Sequence, residues 1–320
     1  MSHVTALEPG VGPAVRNRTL DDTGREAGTG PGIPFPIRAR DGYALSGTLY
    51  PHSGAELGAV VLVSAAVGAR QRYYSAFARF LAERGLPTVT YDYRGIGGSR
   101  PESLQGFEAR FQDWGALDLA GAITTVRERF PGRRVLLVGH SAGGQLLGLA
   151  DSASEVAALL SVTSGSGYYR LFPQRLRMAF NWRVLAPALI QAFGKLPGWA
   201  GTSEDLPAGV AAQWARWCLS PDYLLSEDGE SRRQAYASLR LPLRAYSFTD
   251  DPIASPEAVR ALLSIYSEAL VEHRLLSPKE VGQPIGHFGF FRAPFRDTLW
   301  KDAADWLADK ALAPRYARGA

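Results

Sequence analysis

The chain of 320 residues contains 46% hydrophobic and 21% charged residues, and its formal net charge at pH 7 is +4. This composition is typical of a globular protein and excludes a disordered, collagen-like or coiled-coil chain, because the 34 glycines and 21 prolines follow no period. The basic residues form pairs such as Arg133-Arg134 and no run of five or six, so the positive charge does not indicate a nucleic acid as partner.

The amino-terminal part of the chain predicts a leader followed by antiparallel strands. Residues 1–32 are rich in Gly, Pro, Asp and Arg without apolar periodicity, which is typical of a loose segment. Two strand-like runs, 36–40 and 43–50, then flank the Asp-Gly at 41–42, and an Asp-Gly between such runs indicates a β-hairpin. We therefore expect the folded part to open with antiparallel strands.

After the hairpin, short apolar strands alternate with amphipathic helices. The strands are predicted at 59–64, 88–91, 135–139, 158–162, 242–248 and 271–276. Segments with helical periodicity lie between these strands and at the end of the chain. Strands that are apolar on both faces and alternate with such helices predict an α/β fold, with a mostly parallel central sheet and helices on both faces.

The alternation stops between the sixth and seventh predicted sheet strands. Residues 168–240 are helix-like and crowded with large aromatic side chains. The tryptophans of this segment are Trp182, Trp199, Trp214 and Trp217. We interpret the segment as a helical insertion in a core formed by residues 33–167 and 241–320. At least half of these tryptophans are expected to form the insertion's own core, and the rest to line an apolar pocket.

The clearest chemical motif is Gly139-His140-Ser141-Ala142-Gly143, which has the form G-x-S-x-G. It stands between a predicted strand and a helix-compatible segment, and in that setting the serine lies on a strained turn with its Oγ exposed. Glycines are needed there because larger residues would clash. The motif predicts Ser141 as a nucleophile, the alternative being a tight turn in which Ser141 only caps the helix.

A nucleophilic serine needs a histidine as base and a carboxylate that orients the histidine. Of the five histidines, His287 is favoured because it follows the last predicted strand in a loop with flanking glycines. The pair Asp250-Asp251 follows the strand at 242–248 and offers two candidates for the acid. We favour Asp251, because its segment looks like the D-x-hydrophobic turn that usually carries the acid. The alternative role of Asp250 is to cap the turn or to position its neighbour.

These motifs resemble those of α/β-hydrolase-fold serine hydrolases from Ile33 to the terminal helix. The segment 92–99 is similar to the D-x-R-G-x-G-x-S turn that follows the fourth strand of many such enzymes. The chain order Ser141, Asp251, His287 is also the order found in them. The segments that most resemble a bacterial group of uncharacterised α/β-hydrolases are 91–95, 214–218 and 286–291. The resemblance implies the α/β-hydrolase fold, with the insertion acting as a helical cap.

The resemblance also implies an oxyanion hole built from backbone N–H groups. Lipases carry an H-G-G-G or H-G segment there, whereas this chain has Ser-Ala-Ala-Val-Gly at 64–68. Only N–H groups are needed, so the departure is compatible with the function. We expect Ala142 to supply one donor and Ala66 or Val67 the other, with Ala66 as first choice.

The motifs together predict a serine hydrolase that cleaves a carboxylic ester with a hydrophobic acyl or aryl group. The same three residues would also serve an acyltransferase or thioesterase, or a peptidase that holds a free amino terminus on acidic residues of the insertion. A non-catalytic binding protein of the same fold is a further alternative. No P-loop, dinucleotide fingerprint or H-E-x-x-H occurs, so we expect neither a cofactor nor a metal.

Location and partners follow from composition. The single cysteine, Cys218, excludes an internal disulfide framework and fits a reducing compartment. No 18 consecutive apolar residues and no apolar signal region occur, so we expect a cytoplasmic protein without a membrane span. The expected partner is a small-molecule acyl substrate, and homo-oligomerisation is left open.

Overall fold

The computed structural model of the protein describes residues 32–313. The leader expected at 1–32 therefore lies, apart from Gly32, outside the described residues.

The described strands form a central sheet of eight strands and two small two-stranded sheets. In chain order the strands are β1 (Ile33–Pro34), β2 (Ile37–Arg38), β3 (Ala44–Leu45), β4 (Gly47–Tyr50), β5 (Ala59–Ser64), β6 (Thr88–Tyr91), β7 (Arg134–His140), β8 (Val156–Val162), β9 (Lys195–Leu196), β10 (Leu206–Pro207), β11 (Pro242–Phe248) and β12 (Leu270–Leu276). The central sheet has the order β1-β4-β6-β5-β7-β8-β11-β12. Strands β6, β5, β7, β8, β11 and β12 are parallel, and β4 and β1 add antiparallel at one edge. The predicted mostly parallel sheet is thus confirmed.

The opening hairpin is present, but its second strand is shorter than predicted. Strands β2 and β3 pair around the turn that contains Gly42, which has a φ of +85°. The chain then leaves this pair at Ser46, because the N–H of Ser46 donates to Ser99 Oγ (2.8 Å) and its carbonyl accepts from Asp92 N–H (3.0 Å). These bonds to the turn after β6 divide the predicted strand into β3 and β4, of which β4 joins the central sheet.

The helices lie between the strands and after the last one. The described α-helices are α1 (Ser75–Ala82), α2 (Ala120–Arg129), α3 (Ala142–Gln145), α4 (Arg175–Phe180), α5 (Ala186–Phe193), α6 (Ala208–Leu219), α7 (Gly229–Ala237), α8 (Pro256–Leu263), α9 (Pro278–Val281) and α10 (Lys301–Leu312). Helices cover both faces of the sheet. On one of them α1 packs against the start of α10, where the rings of Phe77 and Phe80 contact Trp300.

The turn at 92–99 anchors this framework and takes no part in the cavity described below. Arg94 is buried and forms ion pairs with Asp41 and Asp118. It thereby ties the opening hairpin to the segment that leads into α2. The D-x-R-G-x-G-x-S segment therefore contributes to the fold through a buried ion-pair network.

The chain between β8 and β11 contains four helices and one small sheet. A π-helical segment, Asn181–Leu185, joins α4 and α5, and β9 and β10 pair antiparallel before α6 and α7. The segment begins at the carboxyl end of β8 and returns to the sheet at β11, the strand next to β8. Because β7 and β8 are parallel, the segment begins at the same end of the strands as the G-x-S-x-G turn that follows β7.

Candidate active site

Ser141 occupies a strained turn between β7 and α3. Its φ is +52°, a value that residues with a side chain rarely adopt. The surrounding glycines explain how the turn fits, because a Cβ on Gly139 would overlap the backbone of Gly144 and a Cβ on Gly143 would overlap the carbonyl oxygen of Ser64. The structure thus gives the physical reason for the glycines of the motif. The Ser141 hydroxyl forms no hydrogen bond within residues 32–313 and borders a cavity.

His287 lies in the loop after α9 and borders the same cavity. Its Nδ1 is 2.8 Å from Oδ2 of Asp251, which follows β11, and both side chains are buried. The other carboxylate oxygen of Asp251 accepts hydrogen bonds from the N–H groups of Ile253 (2.7 Å) and Ala254 (2.9 Å). Burial opposes ionisation of Asp251, but these bonds and His287 outweigh it and hold its pKa below the ordinary value. The carboxylate is therefore ionised at neutral pH and fixed in orientation.

Asp250 has a different set of partners from Asp251. Its Oδ2 accepts hydrogen bonds from the N–H groups of Ile285 (2.8 Å) and Gly286 (3.1 Å), the two residues before His287. Its Oδ1 is buried without a hydrogen-bond partner in the described part of the chain. Asp250 thus holds the backbone of the histidine loop, whereas Asp251 contacts the imidazole.

A buried hydrogen-bond chain connects the serine turn to the histidine loop. Nε2 of His140 lies 3.0 Å from the carbonyl oxygen of His287, and Thr163 Oγ1 donates to the same oxygen over 3.2 Å. At the other ring nitrogen, the Tyr74 hydroxyl lies 2.8 Å from His140 Nδ1 and accepts from the N–H of Ala66 (2.9 Å). Burial lowers the pKa of His140 to about 3, so the ring is neutral. Neither Tyr74 nor Thr163 was indicated by the sequence, because no motif marks them.

Val67 and Ala142 are the cavity-lining residues that test the expected oxyanion donors. Their backbone N–H groups donate no hydrogen bond within residues 32–313. The N–H of Ala66, in contrast, donates to Tyr74, and Ala66 does not line the cavity. The first choice of Ala66 as an oxyanion donor therefore disagrees with the structure, because its N–H is occupied. Of the two alternatives, Val67 has the free donor.

The cavity has a volume of about 460 Å³ and lies between the core and the insertion. Large apolar side chains of the insertion form most of its far wall: Phe172, Met178, Trp182, Leu185, Leu189, Leu196 and Trp214. The rings of Trp182 and Trp214 contact each other with centroids 4.6 Å apart. Trp217 is fully buried and does not reach the cavity, and Trp199 is 73% exposed. Two of the four tryptophans of the insertion therefore face the cavity.

Charged groups are scarce in the cavity wall. Among the described lining residues none is Asp or Glu, and Arg177 is the one Arg or Lys. Five of the six acidic residues of the insertion form ion pairs elsewhere: Glu204 with Arg70, Asp205 with Lys195 and Arg100, Asp222 with Arg233, Glu227 with Arg216, and Asp228 with Arg232. The described part of the insertion thus lines the cavity with mostly apolar side chains, together with polar ones that include Gln174, Arg177 and Asn181, and with no carboxylate.

Metal sites and membrane spans were also considered for the described part of the chain. Residues 32–313 contain no group of three or more His, Cys, Asp or Glu side chains that could hold a metal ion. No helix within these residues is long and apolar enough to cross a membrane.

Comparison with known proteins agrees with this architecture. The model of a family described as the alpha/beta hydrolase family matches residues 60–298. A monoglyceride lipase of Saccharomyces cerevisiae, a soluble variant bound to a substrate analogue, is similar with a TM-score of 0.64 and 15% identity, over 90% of this chain and 98% of that one. An esterase of Pyrococcus furiosus is similar with a TM-score of 0.55 and 15% identity, over 87% and 91% of the two chains. A serine hydrolase without a lid from Xanthomonas campestris is similar with a TM-score of 0.51 and 14% identity, over 88% of this chain and 98% of that one. No curated protein sequence matches the chain.

Proposed function

Because the chain belongs to the alpha/beta hydrolase family, we propose that it is a serine hydrolase that cleaves carboxylic esters with a hydrophobic acyl or aryl group. The observation that carries this proposal is the buried His287–Asp251 pair, 2.8 Å apart, beside a cavity that Ser141 also borders. A serine on a strained turn, an oriented imidazole and an ionised carboxylate are the parts that nucleophilic acyl transfer requires.

The proton transfers follow from the orientation of His287. Because the Asp251 carboxylate accepts a hydrogen bond from Nδ1–H of His287, the lone pair of the neutral imidazole is on Nε2. As Ser141 Oγ adds to the ester carbonyl, Nε2 takes its proton, and the Asp251 carboxylate stabilises the resulting imidazolium. The same proton then passes to the leaving alcohol, and the acyl group stays on Ser141. Water, deprotonated by His287, releases the acid and restores the serine.

The N–H groups of Val67 and Ala142 form the oxyanion hole in this mechanism. Each borders the cavity beside Ser141 and lacks an acceptor within residues 32–313. Such preoriented backbone donors stabilise the negative charge that develops on the carbonyl oxygen. Val67 comes shortly after the end of β5, and Ala142 directly follows the serine after the end of β7, so the two donors follow the carboxyl ends of two neighbouring strands.

The apolar wall supports the choice of substrate. A cavity of about 460 Å³ lined by Trp182, Leu185 and Trp214 favours a hydrophobic acyl or aryl group. A peptidase that binds a free amino terminus would need a carboxylate near the serine, and none of the described lining residues supplies one. The insertion, as a cap over Ser141, thereby favours esters over peptides.

The proposal is tested by labelling purified protein with a fluorophosphonate probe and mapping the modified peptide by mass spectrometry. We expect labelling at Ser141 alone, its loss in Ser141→Ala, and no change in Ser166→Ala, a matched control because Ser166 also lines the cavity. Ser141→Ala should lower kcat on a p-nitrophenyl ester by about 10⁴- to 10⁶-fold. A folded wild type that takes up no probe, or a folded Ser141→Ala protein with less than about tenfold loss, would refute the proposal. Products formed with added alcohol or thiol distinguish hydrolysis from acyl transfer.

A further inference from the structure

Strand β12 forms one edge of the central sheet, and three of its four apolar residues are exposed. No strand within residues 32–313 pairs with its outer side. Leu270 is 62% exposed, Val271 41% and Leu275 40%. An exposed apolar edge strand is a template for a further strand, and natural proteins generally cover or interrupt such edges.

The backbone of β12 presents its free groups at alternate residues. The N–H of Leu270 donates to the carbonyl of Leu241 (3.0 Å), and the carbonyl of Leu276 accepts from the N–H of Thr249 (3.0 Å), so even-numbered residues face β11. By the alternation of a strand, the N–H and C=O groups of Val271, His273 and Leu275 point away from the sheet. No residue of the described range 32–313 pairs with these three donors and three acceptors along the outer edge.

The sequence of β12 complements itself when it is read in the opposite direction. It runs Leu270-Val271-Glu272-His273-Arg274-Leu275-Leu276. In an antiparallel pair of two copies centred on His273, Leu270 lies opposite Leu276, Val271 opposite Leu275, and Glu272 opposite Arg274. We propose that two copies of this chain form a symmetric dimer through β12, so that the two sheets become continuous.

The hydrogen-bond pattern places the charges where they interact best. Because the odd-numbered residues carry the outward groups, the pairs at 271/275 and 273/273 exchange about six N–H···O bonds. The 272/274 pairs are then the non-hydrogen-bonded kind, in which opposite side chains approach most closely. Their side chains are 45% and 37% exposed, so both can reach a second copy. Within one chain Glu272 and Arg274 already pair with each other (2.9 Å), and they also pair with Arg244 and Asp302 respectively, so the dimer contact extends an ion-pair network that one chain contains.

The experiment is sedimentation equilibrium of the full chain with exchanged charges. Wild type should have twice the mass of the 34.6 kDa chain. Glu272→Arg and Arg274→Glu each place like charges opposite each other twice and should raise the dimer dissociation constant by about 10- to 100-fold. An equimolar mixture of the two variants restores both opposite-charge pairs and should form a heterodimer. Glu268→Arg, a charge change next to the strand where Glu268 pairs with Arg240, is the matched control and should leave the mass unchanged.

A second measurement needs no variant. In wild type, amide hydrogen exchange of the peptide 270–276 should be slow at high protein concentration and faster on dilution, because the outward amides are bonded only in the dimer. A wild type that is monomeric at about 100 μM overturns the proposal. The proposal is also overturned by a dimer whose dissociation constant is unchanged in both charge-reversal variants. A dimer in which amide hydrogen exchange of 270–276 does not depend on protein concentration overturns it as well.

Discussion

Nε2 of His140 lies 3.0 Å from the backbone carbonyl oxygen of His287, so the residue before the candidate nucleophile holds the loop of the candidate base. Because a carbonyl oxygen can only accept, the proton of the neutral His140 imidazole is on Nε2 and is donated to His287. Nδ1 is then the acceptor, and the Tyr74 hydroxyl, which accepts from the N–H of Ala66, donates to it. Val67, the neighbour of Ala66, and the two histidines are thus positioned by one continuous chain of hydrogen bonds.

Tyr74→Phe should impair catalysis without contacting substrate. The variant leaves the N–H of Ala66 without its acceptor and His140 without its donor. We expect kcat on an ester to fall by about 10- to 100-fold, because the reacting groups are displaced from their positions. The free energy of unfolding should fall by about 1–3 kcal/mol. Tyr246→Phe is the control, because its hydroxyl bonds Asp302 and neither of these two residues lines the cavity. It should lose stability but keep kcat, and an equal loss of kcat in both variants would contradict a positioning role.

Asp251→Asn and Asp250→Asn should differ sharply in activity. An asparagine at 251 cannot hold the imidazole in the required tautomer, so kcat should fall by about 10⁴-fold. At 250 an amide oxygen can still accept from the N–H groups of Ile285 and Gly286. Asp250→Asn should therefore lower kcat by less than about tenfold. The measurement is kcat on a p-nitrophenyl ester for both folded variants, and the reverse ranking would assign the acid to Asp250.

His140 should make the protein sensitive to mild acid. Its pKa is about 3 in the folded chain against 6.5 ordinarily, so between these values the unfolded chain binds one proton more. Stability therefore falls as the pH drops below 6.5, by about 1.4 kcal/mol per pH unit for this residue. His140→Gln does not take up this proton. The difference in free energy of unfolding between wild type and variant should therefore decrease by about 2 kcal/mol from pH 6.5 to pH 5. Urea unfolding of both proteins at several pH values measures this difference. If the free energies of unfolding of the two proteins change with pH in parallel, His140 does not cause the loss of stability in acid.

Gly68→Ala should disturb the oxyanion hole, and Gly58→Ala should not. Both glycines have a positive φ, +68° and +73°. A Cβ at Gly68 would overlap the carbonyl oxygen of Thr202 in the insertion, whereas a Cβ at Gly58 meets nothing within 4 Å. Gly58→Ala should thus cost about 1 kcal/mol of stability from backbone strain and leave kcat unchanged. Gly68→Ala should also lower kcat by about 100-fold, because Val67 must shift. Equal kcat values in the two proteins would speak against Val67 as a donor.

The sequence predicted the parallel sheet and the residues that its carboxyl edge brings together, because strand runs and the G-x-S-x-G turn are local patterns. It favoured Asp251 over Asp250 only by the likeness of a turn, since the two are adjacent and of one type. In the structure Asp251 contacts the His287 imidazole, whereas Asp250 accepts from the backbone of the loop before His287. The choice between Ala66 and Val67 likewise depends on a tertiary contact, the hydroxyl of Tyr74. The break between β3 and β4 has the same origin, since Ser46 bonds to a turn about fifty residues away.

The two hydrogen bonds on the His287 carbonyl join residues that are 147 and 124 positions apart in the chain. During synthesis the amino-terminal part of a protein emerges and folds first. Strands β5 to β8 and the turn that carries Ser141 are therefore synthesised before His287 is added. Under the proposed mechanism, a nascent chain has its nucleophile before its base, and it cannot cleave an ester until His287 has been added.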